Sequence, residues 1–225
     1  MLLGYGACRK DAMRFRSFVI AYALVLALLL SADRRPQAPQ NRYSKVVDLT
    51  AGPALNAAGG HQTSGTRIVS PAALIPGTWG AGQIPAERLI APLVVIDVNP
   101  GTQLSVDDIA AWESHFGSVP QGAVVALRIK QTSARDSASE FPMTADAAQF
   151  LMEARYTLGF VVETPAAALA SDLTLSRQLA LHGNYVVEGS SGMASLPEIG
   201  SLLIVAPARN TRQGTTSVRV LAMVR

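Results

Sequence analysis

Seven short apolar runs, several rich in β-branched residues, punctuate the chain: Val46–Leu49, Leu93–Val98, Ala123–Arg128, Gly159–Glu163, Asn184–Glu188, Leu202–Ala206 and Val218–Val224. Runs of that length bounded by turn residues predict buried strands; Leu93–Val98, for example, sits between Pro92 and Asn99-Pro100-Gly101. Helical spacing replaces this pattern in three places. Ser105 precedes Asp107 and Asp108, then Ile109, Trp112 and Phe116 recur on one face and Gly117 ends the run. Ser105 is suited to cap the first turn, and the two aspartates suit the positive end of the helix dipole. Thr144 opens a second such segment through Ala154, with Ala147, Phe150 and Leu151 on one side, and Ser171–Leu181 gives a third. Ala51–Gly65 is rich in Gly, Ala, Asn and Ser and predicts a loop. Strands and helices mix without a strict β-α-β rhythm, which favours α+β or mixed α/β layers over a doubly wound sheet.

The amino terminus follows different rules. Arg9, Lys10, Arg14 and Arg16 precede sixteen uncharged residues, Ser17–Ala32, ending in the small pair Ser31-Ala32. A basic region, an apolar stretch and small residues predict an export signal over 1–32, with Met13 as an alternative start. A retained membrane anchor is the rival, although sixteen residues fall short of the ~20 that span a bilayer comfortably. Asp33–Ser44, polar and with two prolines, reads as a linker, leaving residues 45–225 as the folded domain. An exported, periplasmic or secreted location is expected, with membrane contact only through residues 17–32 if they are not cleaved.

Composition changes the picture at two points. The chain has 225 residues, 49% hydrophobic and 16% charged, enough for one ordinary domain and unlike a disordered protein. Its net charge of +3 raises the question of a nucleic-acid partner. Residues 1–32 hold four of the nineteen basic residues, one of the sixteen acidic residues and the single cysteine, so the remainder is balanced at fifteen of each sign and cysteine-free. No nucleic-acid footprint remains, and disulfides and cysteine-based zinc sites are excluded from the remainder.

The order of motifs is more specific than their pattern. Val46-Val-Asp-Leu-Thr50, Gly65-Thr66-x-Ile68-x-x-Pro71 and Ile84-Pro85 onward to Ile96-Asp-Val98 come first. Val119-Pro120-Gln-Gly122, Arg177-x-Leu-x-Leu-x-Gly183, Tyr185-Val-Val-Glu188 and Gly200 to Pro207 follow. In this order and spacing, across roughly 45–225, the sequence resembles the cyclase family, whose best-known members are bacterial kynurenine formamidases. The resemblance implies a swivelling β/β/α domain, a homo-oligomer (dimer or tetramer), and amide or lactone-type hydrolysis at zinc or manganese. It also implies a signature His-x-Gly-Thr-His-x-Asp-x-Pro-x-His, with a further His and Glu nearer the carboxyl terminus. Imidazole and carboxylate ligands of that kind hold a cation that activates water.

At those positions this chain departs from the pattern. Gly65, Thr66 and Pro71 are kept, but Thr63, Arg67, Val69 and Ala73 replace the chemical side chains, and Ser176 stands where the later histidine falls. Glu188 alone survives. Valine and alanine cannot ligate a metal, and arginine has no acceptor; no family-type metal site and no cofactor are expected. The inherited pocket is then Thr63, Arg67, Val69, Ala73, Ser176 and Glu188, with Arg67 paired to Glu188 and offered to a small anionic molecule.

Weaker catalytic candidates are Glu188, His61 and Glu163, the two glutamates being a potential carboxylate pair at strand ends. His115 and His182, each near a helix-ending glycine, read as structural, as does Gly189-Ser190-Ser191-Gly192, which lacks the Gly-x-Ser-x-Gly elbow because Met193 follows. Three readings remain open on the sequence: a metal-free binding or assembly homologue, a hydrolase with a relocated or metal-independent site, and a structural subunit with a filled pocket.

Overall fold

The computed structural model describes residues 43–52, 54–55, 62–63, 65–130, 141–163, 172–209 and 212–225. All of them lie in one compact unit, Tyr43–Arg225. The export signal or anchor over 1–32, most of the linker and His61 lie outside the described residues.

The strands are β1 (Lys45–Asp48), β2 (Ala54–Leu55), β3 (Gln62–Thr63), β4 (Arg67–Val69), β5 (Ile90–Val98), β6 (Val124–Ile129), β7 (Gly159–Val162), β8 (Tyr185–Glu188), β9 (Ser201–Pro207) and β10 (Thr215–Val224). The helices are α1 (Pro71–Leu74), α2 (Val106–Phe116), α3 (Ala145–Ala154) and α4 (Leu173–Leu181), with three single 3-10 turns between elements. Eight strands join in the order β1-β10-β4-β8-β7-β6-β5-β9, and β9 also pairs with β10. That extra pairing closes seven strands into a barrel-like ring, leaving β1 attached to β10 outside it. Strands β5 to β8 are parallel, linked through the helices, whereas β9, β10 and β4 are antiparallel to their neighbours. The expected mixed α/β architecture is therefore present, as a closing sheet covered by helices.

Alternation along the strands sorts the apolar residues into two layers. Ile68, Leu93, Val95, Val124, Ala126, Val161, Tyr185, Val187, Leu203, Val205 and Val220 meet inside the ring. Their neighbours Val69, Val94, Ile96, Val125, Leu127, Phe160, Val162 and Val186 point outward and pack under Ile109 and Trp112 of α2, Ala147 and Leu151 of α3, and Leu175 and Leu179 of α4. Trp112 buries its ring there and donates its indole N–H to Val95 O at 3.1 Å, so its polar atom is satisfied.

The helix starts follow the sequence closely. Ser105 Oγ accepts from Asp108 N while Ser105 N donates to Asp108 Oδ2, a reciprocal capping box. Thr144 Oγ1 accepts from Ala147 N, and Asp172 Oδ1 from Leu175 N. Three expectations change. β5 begins at Ile90 rather than after Pro92, because Ile90–Leu93 pair with β9. The ladder to β6 starts only at Leu93, so the missing N–H of Pro92 removes no rung on that side. The expected loop 51–65 contains the two-residue pair β2–β3. β10 starts at Thr215, its polar first residues held by β4 and not by burial.

Candidate functional site

β4 is three residues long, and its alternation decides which side chains face outward. Ile68 enters the ring, so Arg67 and Val69 face outward. Against it, β8 runs in antiparallel register, placing Glu188 opposite Arg67 and Val186 opposite Val69. Arg67 Nε lies 3.9 Å from Glu188 Oε1, with the arginine side chain 37% and the glutamate 11% exposed. The pairing expected from the sequence is present.

The neighbouring rung, Val69 opposite Val186, is apolar. Val69 belongs to the outer hydrophobic layer together with Val186, Leu175 and Leu179. Ser176 is buried on α4. Ala73, exposed, lies on α1, whose start is tied to β10 by Ser70 N and Ser70 Oγ, both donating to Gly214 O at 2.7 Å. Thr63 is placed in β3.

These residues do not fit a divalent cation. A permanent cation occupies one expected ligand position, a buried valine inside a hydrophobic cluster another, and the one carboxylate already faces the guanidinium. Among the described residues, no three His, Cys, Asp or Glu side chains are grouped so as to hold a metal ion.

The other candidates fall elsewhere. Glu163 follows β7 one rung beyond Leu127–Val162 in the β6–β7 ladder, level with Arg128. Burial raises its carboxyl above the usual value and the charge of Arg128 opposes that rise. Arg128 is itself held by Asp97 (Nε to Oδ1, 2.6 Å), Glu198 (Nη2 to Oε1, 3.0 Å) and Leu196 O (2.8 Å). Thus Glu163 takes an electrostatic partner from Arg128 and Glu188 one from Arg67. Ser190 Oγ donates to Val162 O at 2.9 Å and is a buried connector. His182 caps α4, its Nδ1 2.9 Å from Gln178 O, and His115 stands exposed in the last turn of α2.

Sequence reasoning missed the surroundings of Arg67. An open groove of about 900 Å³ runs along the outer face beside it, lined by Asp48, Thr50, Thr66, Gln213, Ser217 and Arg219 among others. Arg219 Nη2 donates to Asp48 Oδ2 at 3.0 Å. Asp48 also accepts from Thr50 N at 3.0 Å, and the hydrogen bonds from the Thr50 side chain and backbone N–H, with a smaller contribution from Arg219, hold its carboxyl below the usual value. Thr66 Oγ1 donates to Gly189 O and accepts from Ala51 N, pinning the backbone just before Arg67. No local motif announces this groove, because Asp48 and Arg219 are 171 residues apart.

No curated protein matches the chain. Solved structures do. Isatin hydrolase A from Labrenzia aggregata, bound to benzyl benzoate, shares 25% identity and a TM-score of 0.65, covering 80% of this chain and 93% of that one. Isatin hydrolase A from Ralstonia solanacearum shares 23% identity at a TM-score of 0.65, covering 80% and 92%. A potential metal-dependent hydrolase with cyclase activity shares 20% identity at a TM-score of 0.60, covering 80% and 98%. The sequence model of the cyclase family, described as "Putative cyclase", matches residues 26–168. The chain, with its ring of strands and the Arg67–Glu188 pair across β4 and β8, belongs to the cyclase family.

Proposed function

We propose that this protein is a metal-free binding member of its family, taking an anionic organic molecule at Arg67 in place of metal-dependent hydrolysis. The observation that carries this reading is the Arg67–Glu188 ion pair, set at 3.9 Å beside a valine that extends the hydrophobic layer. An arginine at the position of a metal ligand supplies positive charge and N–H donors suited to carboxylates, without the vacant coordination that hydrolysis at a metal requires. The exported location, the homo-oligomeric state and the swivelling β/β/α arrangement belong to the same reading.

The test is metal analysis of the purified protein together with hydrolysis assays on N-formylkynurenine and isatin, the latter chosen because two structural neighbours are named isatin hydrolases. Absence of stoichiometric metal and of turnover is expected, with binding of small carboxylates that is lost in Arg67→Gln. Stoichiometric zinc or manganese with turnover overturns the proposal. Turnover that survives chelation and disappears in Glu163→Gln overturns it in favour of a relocated, metal-independent hydrolytic site. Amino-terminal sequencing of the protein from fractionated cells tests export, and light scattering tests assembly.

A further inference from the structure

The groove beside Arg67 is more particular than a generic anion site. Arg67 is paired in register with Ser217 across the β4–β10 ladder, and Arg219 lies two residues farther along β10. Residues two apart on a strand share a face, and diagonal cross-strand neighbours have Cα atoms about 7–8 Å apart, within reach of long side chains. Two guanidinium groups thus flank one serine hydroxyl on the outer face of the sheet. Both arginines and Ser217 line the groove, as do Thr50, Thr66, Thr215, Thr216 and Gln213.

We infer that this groove binds a hydroxyl-rich monocarboxylic acid of the sugar-acid class, its carboxylate between Arg67 and Arg219 and its hydroxyls along the threonine, serine and glutamine side. This inference rests on the proposed anion-binding role and specifies its ligand.

Charge selects a single anionic group. Asp48 lines the groove beside Arg219, and Glu188 lies behind Arg67, so the four charges nearly cancel before a ligand enters. One carboxylate can bridge two cations, whereas a second would meet two fixed carboxylates with no further arginine among the described lining residues. Size and chemistry select the rest. A groove of about 900 Å³ exceeds what a simple carboxylate fills, and its described lining offers hydroxyls and a carboxamide with no aromatic ring. The described lining thus offers charge and hydrogen bonds for recognition, with no ring for stacking. Arg219 is 68% exposed and, among the described residues, donates to Asp48 through Nη2, while a guanidinium has five N–H donors.

Titration calorimetry on the full-length protein with D-glucuronate, D-glucose and acetate tests the assignment, since glucose lacks the charge and acetate the hydroxyls. Glucuronate is expected to bind at least about tenfold more tightly than either, a difference of about 1.4 kcal/mol. Arg219→Gln and Arg67→Gln are each expected to weaken glucuronate about tenfold, and Ser217→Ala less. Circular dichroism establishes that the variants are folded; Arg219 is exposed enough for its substitution to leave the core untouched. Acetate binding as tightly as glucuronate, with sensitivity to Arg67→Gln alone, overturns the sugar-acid assignment and leaves the anion-binding role standing. Glucose binding as tightly as glucuronate, or no binding by either acid, overturns both.

Discussion

Arg155 grips both carboxylate oxygens of Glu113, Nε to Oε1 at 2.7 Å and Nη2 to Oε2 at 2.8 Å, tying the end of α3 to the last turns of α2. Glu113 Oε1 also accepts from Val119 N at 2.8 Å. The Arg155 hydrogen bond, aided by that N–H and by the guanidinium charge, holds Glu113 below the usual glutamate value. A carboxyl lowered in the folded state stabilises the fold above its unfolded value, about 4.3, and loses that contribution as pH falls through the folded value. Arg155→Met is expected to cost about 1–2 kcal/mol at pH 7 and progressively less below pH 4, by urea denaturation. An equal cost at both pH values would contradict the charge-assisted role of the clamp.

Rebuilding the family ligand set one residue at a time is expected to fail at Val69. That side chain is 7% exposed among Val186, Leu175 and Leu179. Val69→Asp buries a carboxylate in an apolar layer and is expected to cost more than about 2 kcal/mol. The double variant Arg67→His, Val69→Asp is expected to stay destabilised in the presence of zinc. Recovery of the parental melting temperature on adding zinc would show that the surrounding layer still accepts a metal.

Glu163 has the opposite linkage from Glu113. Burial raises its carboxyl, with Arg128 opposing, so the folded chain retains the proton to higher pH than the unfolded chain. Stability contributed by this group therefore falls as pH rises from the ordinary glutamate value through the raised one. Glu163→Gln is expected to become more favourable relative to the parent between pH 4 and pH 7. The check is the difference in unfolding free energy across that interval; a flat difference refutes it.

Gly214 is the spacer between β10 and α1. A Cβ placed there would stand 2.5 Å from both the N and Cα atoms of Ala73, which are backbone and cannot rotate away. Gly214→Ala is expected to cost about 1–3 kcal/mol and to weaken ligand binding by displacing the Ser70–Ala73 turn. An unchanged melting temperature and unchanged affinity would remove the spacer role.

What the sequence revealed and what it hid divide along contact distance. The Ser105 cap, the Thr144 cap and the buried strands were legible because each is set by neighbours a few residues away, although the reciprocal bond from Ser105 N to Asp108 emerged only in the structure. The Arg67–Glu188 pairing was legible for another reason: both residues stand at positions the family resemblance had already brought together. β4 was not legible as a strand, because three residues are too few for any period to show. The early start of β10 was hidden likewise, since Thr215–Ser217 carry no apolar signal and owe their conformation to rungs with Arg67–Val69. Arg219 looked like any surface arginine until β1 and β10 came together and set it against Asp48.

β10 holds β9 along one edge and, along the other, β4 at its beginning and β1 at its end. Between those two, Thr66 O accepts from Val218 N, and Thr50 Oγ1 accepts from Val220 N, so threonines bridge the gap where no strand lies. Arg67 hangs from the β4 end of this strand and Asp48 from the β1 end, with Arg219 on the span between. The two sides of the groove are therefore suspended from a single beam: a shift of β10 carries both together, and the spacing between its arginines is fixed by backbone rungs, independent of any loop.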